Sequence, residues 1–353
     1  NMTYTIEKVT TLIGARRYGD RDGNVGFILT DSRSLCFPEE TLFFALKSER
    51  NDGHNYIPEL YRRGVRNFVV SQVPKGYASD YPEANFLKVV NTLEALQRLA
   101  ERHRDEFNIP IVGITGSNGK TMVKEWLHQL LSPSMFVTRS PRSYNSQIGV
   151  PLSVWLLNEQ TQVGVFEAGI SQPGEMLALR DIIQPTIAVL TYLGAAHQEN
   201  FESLEAKCRE KIILFHDADT IVYNGDDKTV SGVVNEYKDY KGEKLFWSFR
   251  DTKAPFFVKN VEKKGNLSII TYIYKGEEDS YSLPFIDEAS VTNSIIAAVV
   301  SRRLGLSAEE LDKRMALLEP VAMRLEVKEG QHGCTLINDS YNSDINSLDI
   351  ALD

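Results

Sequence analysis

The sequence has few cysteines and no long hydrophobic run. Its 353 residues include three cysteines, Cys36, Cys208 and Cys334, and no two of them form a CxxC pair. This set excludes a disulfide-rich scaffold and a cysteine-based zinc site, and it favours reduced thiols in the cytoplasm. No apolar stretch approaches the length of a membrane span, and the first residues carry no signal-peptide pattern. We therefore expect a cytoplasmic protein without a membrane span.

Positive charge is also in short supply. Lysine and arginine number 39 against 48 aspartates and glutamates, which gives a formal net charge of −9. This balance argues against nucleic acid or an anionic membrane as the partner. The hydrophobic share of 42% and the charged share of 25% are those of an ordinary globular protein. At this length we expect about two or three domains.

The most informative segment is the glycine-rich stretch Gly113–Thr121, GITGSNGKT. It follows an apolar run and precedes residues 122–131, whose apolar side chains recur at helical spacing. A glycine-rich turn between a strand and a helix binds phosphate through its backbone N–H groups and the helix N-terminus. In this pattern Lys120 reaches the terminal phosphates of ATP, and the Thr121 hydroxyl binds Mg²⁺. The predicted ATP-binding residues are Gly116, Ser117, Asn118, Gly119, Lys120 and Thr121.

The glycine spacing departs from the general P-loop pattern. Ile114 stands where GxxxxGK[ST] has its first glycine, and the glycines present are Gly113, Gly116 and Gly119. The alternative interpretation is a glycine-rich turn that happens to precede a lysine. The strand before it and the helix after it favour phosphate binding.

The N-terminal region predicts a small α/β domain over residues 1–107. A helical pattern covers residues 92–100. The predicted strands are 25–30, 41–46 and 67–70. A second domain begins after this region, at about residue 108.

The central region predicts a mostly parallel sheet with an antiparallel extension. Short apolar runs alternate with amphipathic helices, which is typical of a parallel sheet covered on both faces. These runs are 109–115, 135–138, 163–168, 186–193 and 220–224. Residues 244–285 change to alternating, aromatic-rich strands, which predict antiparallel hairpins. Helices are then predicted at 291–305 and 307–318, and strands near 324–329 and 334–338. The fold class is therefore α/β, with domains at 1–107 and 108–338 and a hinge leading to a further domain at 339–353.

Three polar residues outside the loop are candidates for chemistry. Glu167 ends a predicted parallel strand, where ligands bind in open α/β sheets, and it can hold Mg²⁺ beside Thr121. A solvated acid at a strand end is the alternative. His197 also follows a predicted strand, where a histidine taken alone is more often structural. Lys211 lies in a predicted helix over 202–215 whose charged residues ordinarily form a solvated face, and its spacing alone does not select it.

Taken together, these segments resemble the Mur ligases, the amide-forming enzymes of peptidoglycan precursor synthesis. The resemblance covers nearly the whole chain in the family's order. The segments that carry it are Asp31-Ser32-Arg33, Leu42–Leu46, Asp52-Gly53-His54, Gly113–Thr121, Ile148–Pro151, Glu167-Ala168-Gly169, Gly194–His197 and Asp339–Asn342. Within the family, the Asp-Ser-Tyr-Asn segment resembles the branch that joins D-alanyl-D-alanine to UDP-N-acetylmuramoyl-tripeptide.

The resemblance implies a catalytic role for four residues. Lys120 would hold the ATP phosphates, Glu167 would share one Mg²⁺ with Thr121, and His197 would bind a second Mg²⁺. Lys211 matches the lysine that sister ligases carry as a carbamate, whose carboxylate bridges or orients the metals. The other implied contacts are Asn293 with adenine, Arg324 with the phosphates, Asp339 with the ribose, Ser32 and Arg33 with the uridine end, and Asn145 with the central part of the substrate. Departures from the family pattern are Ser290, Ser143 and Ser146 in place of asparagine, and Asp344-Ile345 in place of Asn-Pro.

The implied reaction is ligation through an acyl phosphate. A substrate carboxylate attacks the γ-phosphate of ATP, Mg²⁺ and Lys120 neutralise the charge, and the dipeptide amine then displaces phosphate. Mur ligases have three domains, so we expect this chain to stop before the third domain and to ligate poorly by itself. Some similar relatives are fused to an alanine racemase, which would lie outside this chain. The alternatives are a sister Mur ligase, a folylpolyglutamate-synthase-like ligase, or a nucleotide-dependent binding module without ligation. The oligomeric state is not predicted.

Overall fold

The computed structural model describes residues 2–194 and 200–321. Within these residues the chain forms two compact units. The N-terminal unit holds the described residues up to Phe107 together with Pro151–Glu159, and the nucleotide-loop unit holds Asn108–Val150 and the described residues from Gln160 onward. None of the helices in the described stretches is both long enough and apolar enough to cross a membrane.

The N-terminal unit is built on a five-stranded sheet. Its elements are β1 Tyr4–Thr5, α1 Ile6–Leu12, β2 Arg16–Tyr18, β3 Asn24–Val25, β4 Phe27–Leu29, β5 Thr41–Phe44, α2 Ile57–Arg62, β6 Asn67–Val70, α3 Tyr77–Asp80, β7 Asn85–Lys88 and α4 Thr92–Arg104. The strand order is β2-β7-β6-β5-β4, with β4 to β7 parallel and β2 antiparallel to β7. Every residue of β5 and β6 is buried, which explains why both strands show as apolar runs in the sequence. The strands β1 and β3 pair separately.

A buried histidine lies in the core of the N-terminal unit. The Tyr4 hydroxyl lies 2.7 Å from Nδ1 of His103, and Nε2 of His103 lies 2.7 Å from the Leu157 carbonyl oxygen. Since a carbonyl only accepts, Nε2 carries the proton and Nδ1 accepts from Tyr4. The Trp155 ring packs 4.7 Å from the imidazole, and its Nε1 donates to the Gly26 carbonyl at 3.0 Å. Residues 151–159 therefore complete the core of a unit whose other described residues end at Phe107.

We expect His103 to make the N-terminal unit sensitive to acid. Burial lowers the pKa of His103 from 6.5 to about 4. Between these values the unfolded chain binds a proton that the folded chain does not, so the free energy of unfolding falls as the pH drops through this window. The expected loss is up to about 3 kcal/mol. The His103→Gln variant should lack this component in urea denaturation at pH 4.5 and pH 7. A difference between the variant and the wild type that is the same at both pH values would contradict this account.

The nucleotide-loop unit contains a six-stranded parallel sheet. Its first elements are β8 Ile111–Thr115, α5 Lys120–Leu131, β9 Val137–Arg139, α6 Gly149–Val154 (which continues into the N-terminal unit), β10 Val163–Glu167, α7 Met176–Ile183, β11 Ile187–Leu190, α8 Leu204–Lys211, β12 Thr220–Val222, α9 Lys228–Glu236 and β13 Glu243–Lys244. The strand order is β13-β12-β11-β8-β10-β9. Because β8 is central and β10 and β11 flank it, the segments that follow these three strands meet at one edge of the sheet.

The same unit carries a four-stranded extension and two further helices. These elements are β14 Trp247–Ser248, β15 Phe256–Lys264, β16 Leu267–Tyr274, β17 Glu277–Leu283, α10 Glu288–Arg303 and α11 Ala308–Met315. Strand β14 is parallel to β15, whereas β15, β16 and β17 are antiparallel. Helix α10 is buried along most of its length, and its Ile295 and Val299 belong to the same apolar core as Trp126 and Leu127 of α5.

The predicted α/β class with a parallel sheet and an antiparallel extension is confirmed. The strand predicted at 25–30 is divided into β3 and β4, because β3 pairs with β1 in a separate two-stranded sheet whereas β4 pairs with β5. The helix predicted at 202–215 ends at Lys211 and continues as the 3-10 turn Ile212–Phe215. The strands predicted near 324–329 and 334–338 lie outside the described residues.

Candidate phosphate- and metal-binding site

The glycine-rich loop joins β8 to α5 and depends on two glycines with positive φ. Gly116 has φ +145° and Gly119 has φ +89°. A Cβ at Gly116 would collide with Thr191 Oγ1, and one at Gly119 would lie 2.6 Å from Asn293 Oδ1. Both positions therefore require glycine for conformation and for space.

The segment after β11 holds the loop in place. The N–H of Ser117 donates to the Tyr192 carbonyl at 2.6 Å, and Ser117 Oγ accepts from the Gly194 N–H at 2.9 Å. Thr191 Oγ1 donates to the Asn118 carbonyl at 2.6 Å. The loop is thus fixed by bonds to a neighbouring strand end and not by its own turn alone.

Three lysines lie beside the loop. Lys120 Nζ donates to the Gly116 carbonyl at 2.7 Å, and Lys211 Nζ donates to the same oxygen at 3.3 Å. Lys207 precedes Lys211 by one helical turn of α8, and its Nζ donates to the Gly194 carbonyl at 2.9 Å. Burial, together with the charges of Lys120 and Lys207, lowers the pKa of Lys211 to about 7. The lowered pKa favours the neutral amine, which is the form of lysine that reacts with CO₂.

A buried carboxylate lies next to the first turn of α5. Thr121 Oγ1 is 3.2 Å from both carboxylate oxygens of Glu167, which ends β10 and has no solvent exposure. Lys124 Nζ is 2.9 Å from Glu167 Oε2, and Asn145 Nδ2 is 3.4 Å from Oε1. The backbone N–H of Glu167 donates to Ser140 Oγ at 2.9 Å. The carboxylate is therefore held at the edge of the sheet where the glycine-rich loop begins.

The donors at this edge fit Mg²⁺ bound together with a nucleotide. A hydroxyl and a carboxylate are hard oxygen ligands, and Mg²⁺ is typically held by one or two carboxylates plus phosphate oxygens and water. Within residues 2–194 and 200–321, no cluster of three or more His, Cys, Asp or Glu side chains could hold a metal by itself. The pair Thr121 and Glu167 therefore suits a cation that arrives with phosphates.

The structure brings several other predicted residues to the same unit. Asn293 of α10 lies against Gly119, and its Nδ2 donates to Met122 Sδ at 3.2 Å. Asn145 lies against Glu167, as described above. The predicted residues outside the described part of the chain are His197, Arg324 and Asp339.

Ser32 and Arg33 lie in the N-terminal unit, in a turn organised by Asp31. The backbone N–H of Arg33 donates to Asp31 Oδ1 at 2.7 Å, and Arg63 donates to the Ser32 carbonyl at 2.6 Å. The Arg33 side chain is half-exposed. The turn chemistry expected of Asp and Ser is present here, and the arginine remains accessible from solvent.

Sequence reasoning missed three residues that shape the site. Lys124 follows Thr121 by three positions and thus lies on the same face of α5, which is a signal that spacing offers. Lys207 has the same relation, at four positions, to Lys211. Thr191 carried no comparable signal, because its bond to Asn118 joins segments more than 70 residues apart.

We expect Gly119→Ala to damage the loop. Alanine at φ +89° is strained, and its Cβ would push against Asn293, so the stability should fall by about 1–3 kcal/mol and ADP binding should weaken. Thermal unfolding and ADP titration would measure both effects. Gly232→Ala is the matched control, because Gly232 lies in α9 with ordinary φ and open space, and the substitution should raise stability by about 0.5–1 kcal/mol. A Gly119→Ala variant as stable and as tight-binding as the wild type would contradict the strain argument.

A phosphate loop at the carboxyl edge of a parallel sheet, beside a buried carboxylate, defines an α/β nucleotide-binding protein. The Mur ligase middle domain matches residues 114–301, more than half of the chain, and the catalytic domain of the Mur ligase family matches residues 24–104. The chain belongs to the Mur ligase family, and as a member of it the chain is a ligase.

Relatives with assigned activities match over most of the chain. The UDP-N-acetylmuramoyl-tripeptide–D-alanyl-D-alanine ligase of Bacillus subtilis is 29% identical over 334 residues, covering 92% of this chain and 69% of its own length. The enzyme of the same name from Escherichia coli is 26% identical over 359 residues, covering 99% and 76%.

Solved structures show the same fold. Crystal structure I of MurF from Acinetobacter baumannii has a TM-score of 0.82 at 23% identity, covering 94% of this chain and 72% of that one. The MurF ligase of Thermotoga maritima in complex with ADP has a TM-score of 0.70 at 25% identity, covering 82% and 66%.

Proposed function

We propose that this ligase joins D-alanyl-D-alanine to UDP-N-acetylmuramoyl-tripeptide in peptidoglycan precursor synthesis. The reaction uses ATP and passes through an acyl phosphate. The observation that carries the proposal is the 29% identity to the Bacillus subtilis ligase of that name across 92% of this chain. The Thermotoga maritima structure with ADP supports the use of ATP.

The nucleotide-loop unit supplies the groups for phosphoryl transfer. The backbone N–H groups of Gly116–Gly119 and the ammonium of Lys120 bind the phosphates and neutralise the charge that develops on the transferring group. Thr121 and Glu167 would hold Mg²⁺, which would supply neutralisation of the phosphoryl charge. The substrate carboxylate attacks the γ-phosphorus and ADP leaves. The amine of the dipeptide then attacks the acyl carbon and phosphate leaves.

Further residues position the substrates in this proposal. Lys211, as a carbamate, would bridge or orient the Mg²⁺ ions, and His197 would bind the second of them. The remaining assignments are Asn293 to adenine, Arg324 to the phosphates, Asp339 to the ribose, Asn145 to the central part of the substrate, and Ser32 and Arg33 to the uridine end. Catalysis then consists of positioning and charge neutralisation, with no side chain acting as a nucleophile.

The proposed domain limits along the chain are 1–107, 108–338 and a hinge at 339–353, with residues 151–159 packed into the N-terminal unit. The two family matches, residues 24–104 and 114–301, each fall inside one of the first two domains. We also propose a cytoplasmic location for this ligase.

Release of inorganic phosphate tests the proposed function. The protein as its gene encodes it would be incubated with ATP, Mg²⁺, UDP-N-acetylmuramoyl-tripeptide and D-alanyl-D-alanine, and each component would be omitted in turn. Phosphate release that requires all four, with formation of the pentapeptide product, supports the proposal. Turnover with a free amino acid and a shorter UDP-muramoyl peptide identifies a sister ligase, and turnover with folate and glutamate identifies a folylpolyglutamate synthase. Nucleotide binding without turnover on any of these substrates identifies a binding module.

A further inference from the structure

A fully buried lysine lies between the proposed metal carboxylate and a neighbouring loop. Lys124 Nζ is 2.9 Å from Glu167 Oε2, and neither side chain is exposed to solvent. The same ammonium donates to the backbone carbonyl of Arg142. Removing two charges from water costs several kcal/mol per ion, so a buried pair of this kind is weak evidence for a role in stability. Because the pair lies beside the glycine-rich loop, a role in the candidate site is the better explanation.

The loop on the other side of Lys124 is residues 140–145, which we call the crossing loop. Arg142 has φ +43°, a left-handed conformation that a non-glycine residue adopts only when its surroundings hold it. Two further bonds connect the crossing loop to the end of β10. Ser140 Oγ accepts from the Glu167 N–H at 2.9 Å, and the Asn145 carbonyl accepts from the Gly169 N–H at 2.8 Å.

These contacts give the two carboxylate oxygens of Glu167 different surroundings. Oε2 takes the ammonium of Lys124, whereas Oε1 takes the side-chain amide of Asn145 at 3.4 Å. Because a different group contacts each oxygen, the carboxylate is held in one orientation, and groups behind a metal ligand typically fix its orientation in this way. The bond from Lys124 to Arg142 also fixes the backbone that carries Asn145.

We propose that Lys124 is a positioning residue that keeps Glu167 oriented toward Mg²⁺ and holds the crossing loop in register with it. One ammonium thereby connects the metal ligand to the loop of Asn145. The inference rests on the proposed function for the use of Mg²⁺ with a nucleotide, and it goes beyond that function by assigning the link between the metal ligand and the loop.

Binding of ADP with and without metal tests the first part. ADP affinity would be measured calorimetrically for the wild type and for Lys124→Met, once with excess Mg²⁺ and once with a chelator. Loss of a group that orients a metal ligand typically costs about 10–100-fold in metal affinity, so we expect a loss of that size in the Mg²⁺-dependent part only. An equal loss under both conditions indicates a merely structural role and overturns the proposal. Tighter binding with Mg²⁺ also overturns it, because Lys124 would then act only by repelling the cation.

Glu125→Gln is the matched control. Glu125 Oε2 lies 3.8 Å from Lys124 Nζ and 2.6 Å from Arg139 Nε. Glu125 is therefore a neighbour of Lys124, but it does not take part in the link between Lys124 and Glu167. This variant changes the charge around the same lysine while the link to Glu167 is kept. We expect Mg²⁺ to increase the ADP affinity of Glu125→Gln by the same factor as that of the wild type. A loss equal to that of Lys124→Met would assign the effect to local charge and not to the link.

Hydrogen exchange of the crossing loop tests the second part. Lys124→Met leaves the Glu167 charge buried without its cation, so the double variant Lys124→Met with Glu167→Gln is used where the single variant does not fold. Because the Arg142 carbonyl loses its donor in either variant, amides of residues 140–145 should exchange faster than in Glu125→Gln. Unchanged exchange would overturn the proposed link to the loop. If the wild type itself fails to bind ADP with Mg²⁺, the proposed function fails, and the exchange measurement still tests the link.

Discussion

Replacement of Lys120 by methionine is expected to lower the rate of phosphate release by about 10²–10³-fold, the range found when one preorganised charge-stabilising group is removed from an active site. Lys120 is the first residue of α5, and its ammonium already lies at the loop, 2.7 Å from the Gly116 carbonyl. Methionine keeps the length and the apolar stem of the side chain but carries no charge. The transferring phosphoryl group would therefore lose a cation that stabilises the transition state. We expect the main effect to be a lower kcat, with a smaller change in the KM for the dipeptide.

The control for Lys120→Met is Lys228→Met. Lys228 is an exposed lysine at the first turn of a helix, α9, so the same atoms are exchanged in a comparable position away from the loop. Its rate should stay within about twofold of the wild type, as expected for a surface substitution. A Lys120→Met rate within about tenfold of the wild type would contradict the assignment.

Replacement of Lys211 by methionine is expected to stabilise the fold at neutral pH while it impairs ligation. The pKa of Lys211 is lowered from 10.5 to about 7 by burial and by the charges of Lys120 and Lys207. Between these values the unfolded chain binds a proton that the folded chain does not, so the wild type loses stability as the pH falls from 10.5 to 7. The loss is on the order of 5 kcal/mol at pH 7 and below. Methionine carries no such cost.

Urea denaturation at pH 7 and pH 9.5 measures this difference. Lys211→Met should exceed the wild type in stability most at pH 7, and the advantage should shrink as the pH rises. Addition of bicarbonate should stabilise the wild type near neutral pH, because a carbamate replaces the buried ammonium, and it should not affect the variant. A variant that is destabilised by the same amount at both pH values would show that Lys211 contributes only packing.

The glycine-rich loop and Glu167 were accessible from the sequence because their positions follow from chain order. A strand, a turn and a helix in succession place Gly116–Thr121 at a known edge of the sheet, and Glu167 reaches that edge by ending a parallel strand. Gly116 and Gly119 have positive φ and therefore require glycine, and both glycines are visible in the sequence. The functional roles predicted for these and for the other site residues remain proposals.

Contacts between distant segments were not accessible in the same way. The link from Lys124 to Glu167 and Arg142 depends on where β9 and β10 lie in the sheet, and hydrophobic periodicity carries no information about that order. The division of the strand predicted at 25–30 depends on the pairing of its two parts with different strands, β3 with β1 and β4 with β5. In both cases contacts between segments that are distant in sequence decide a local feature.

The N-terminal unit is discontinuous in sequence, and this limits how it can be transferred. Residues 151–159 provide Trp155 and Leu157, which cover Tyr4 and His103. A gene fragment that ends at Phe107 would leave this apolar and imidazole surface open to water. Exchange of the described part of the unit between relatives, by recombination or in the laboratory, therefore needs three junctions: one after residue 107 and one on each side of residues 151–159. Because residues 151–159 pack against Tyr4 and His103, substitutions in this segment must be matched by substitutions around residues 4 and 103.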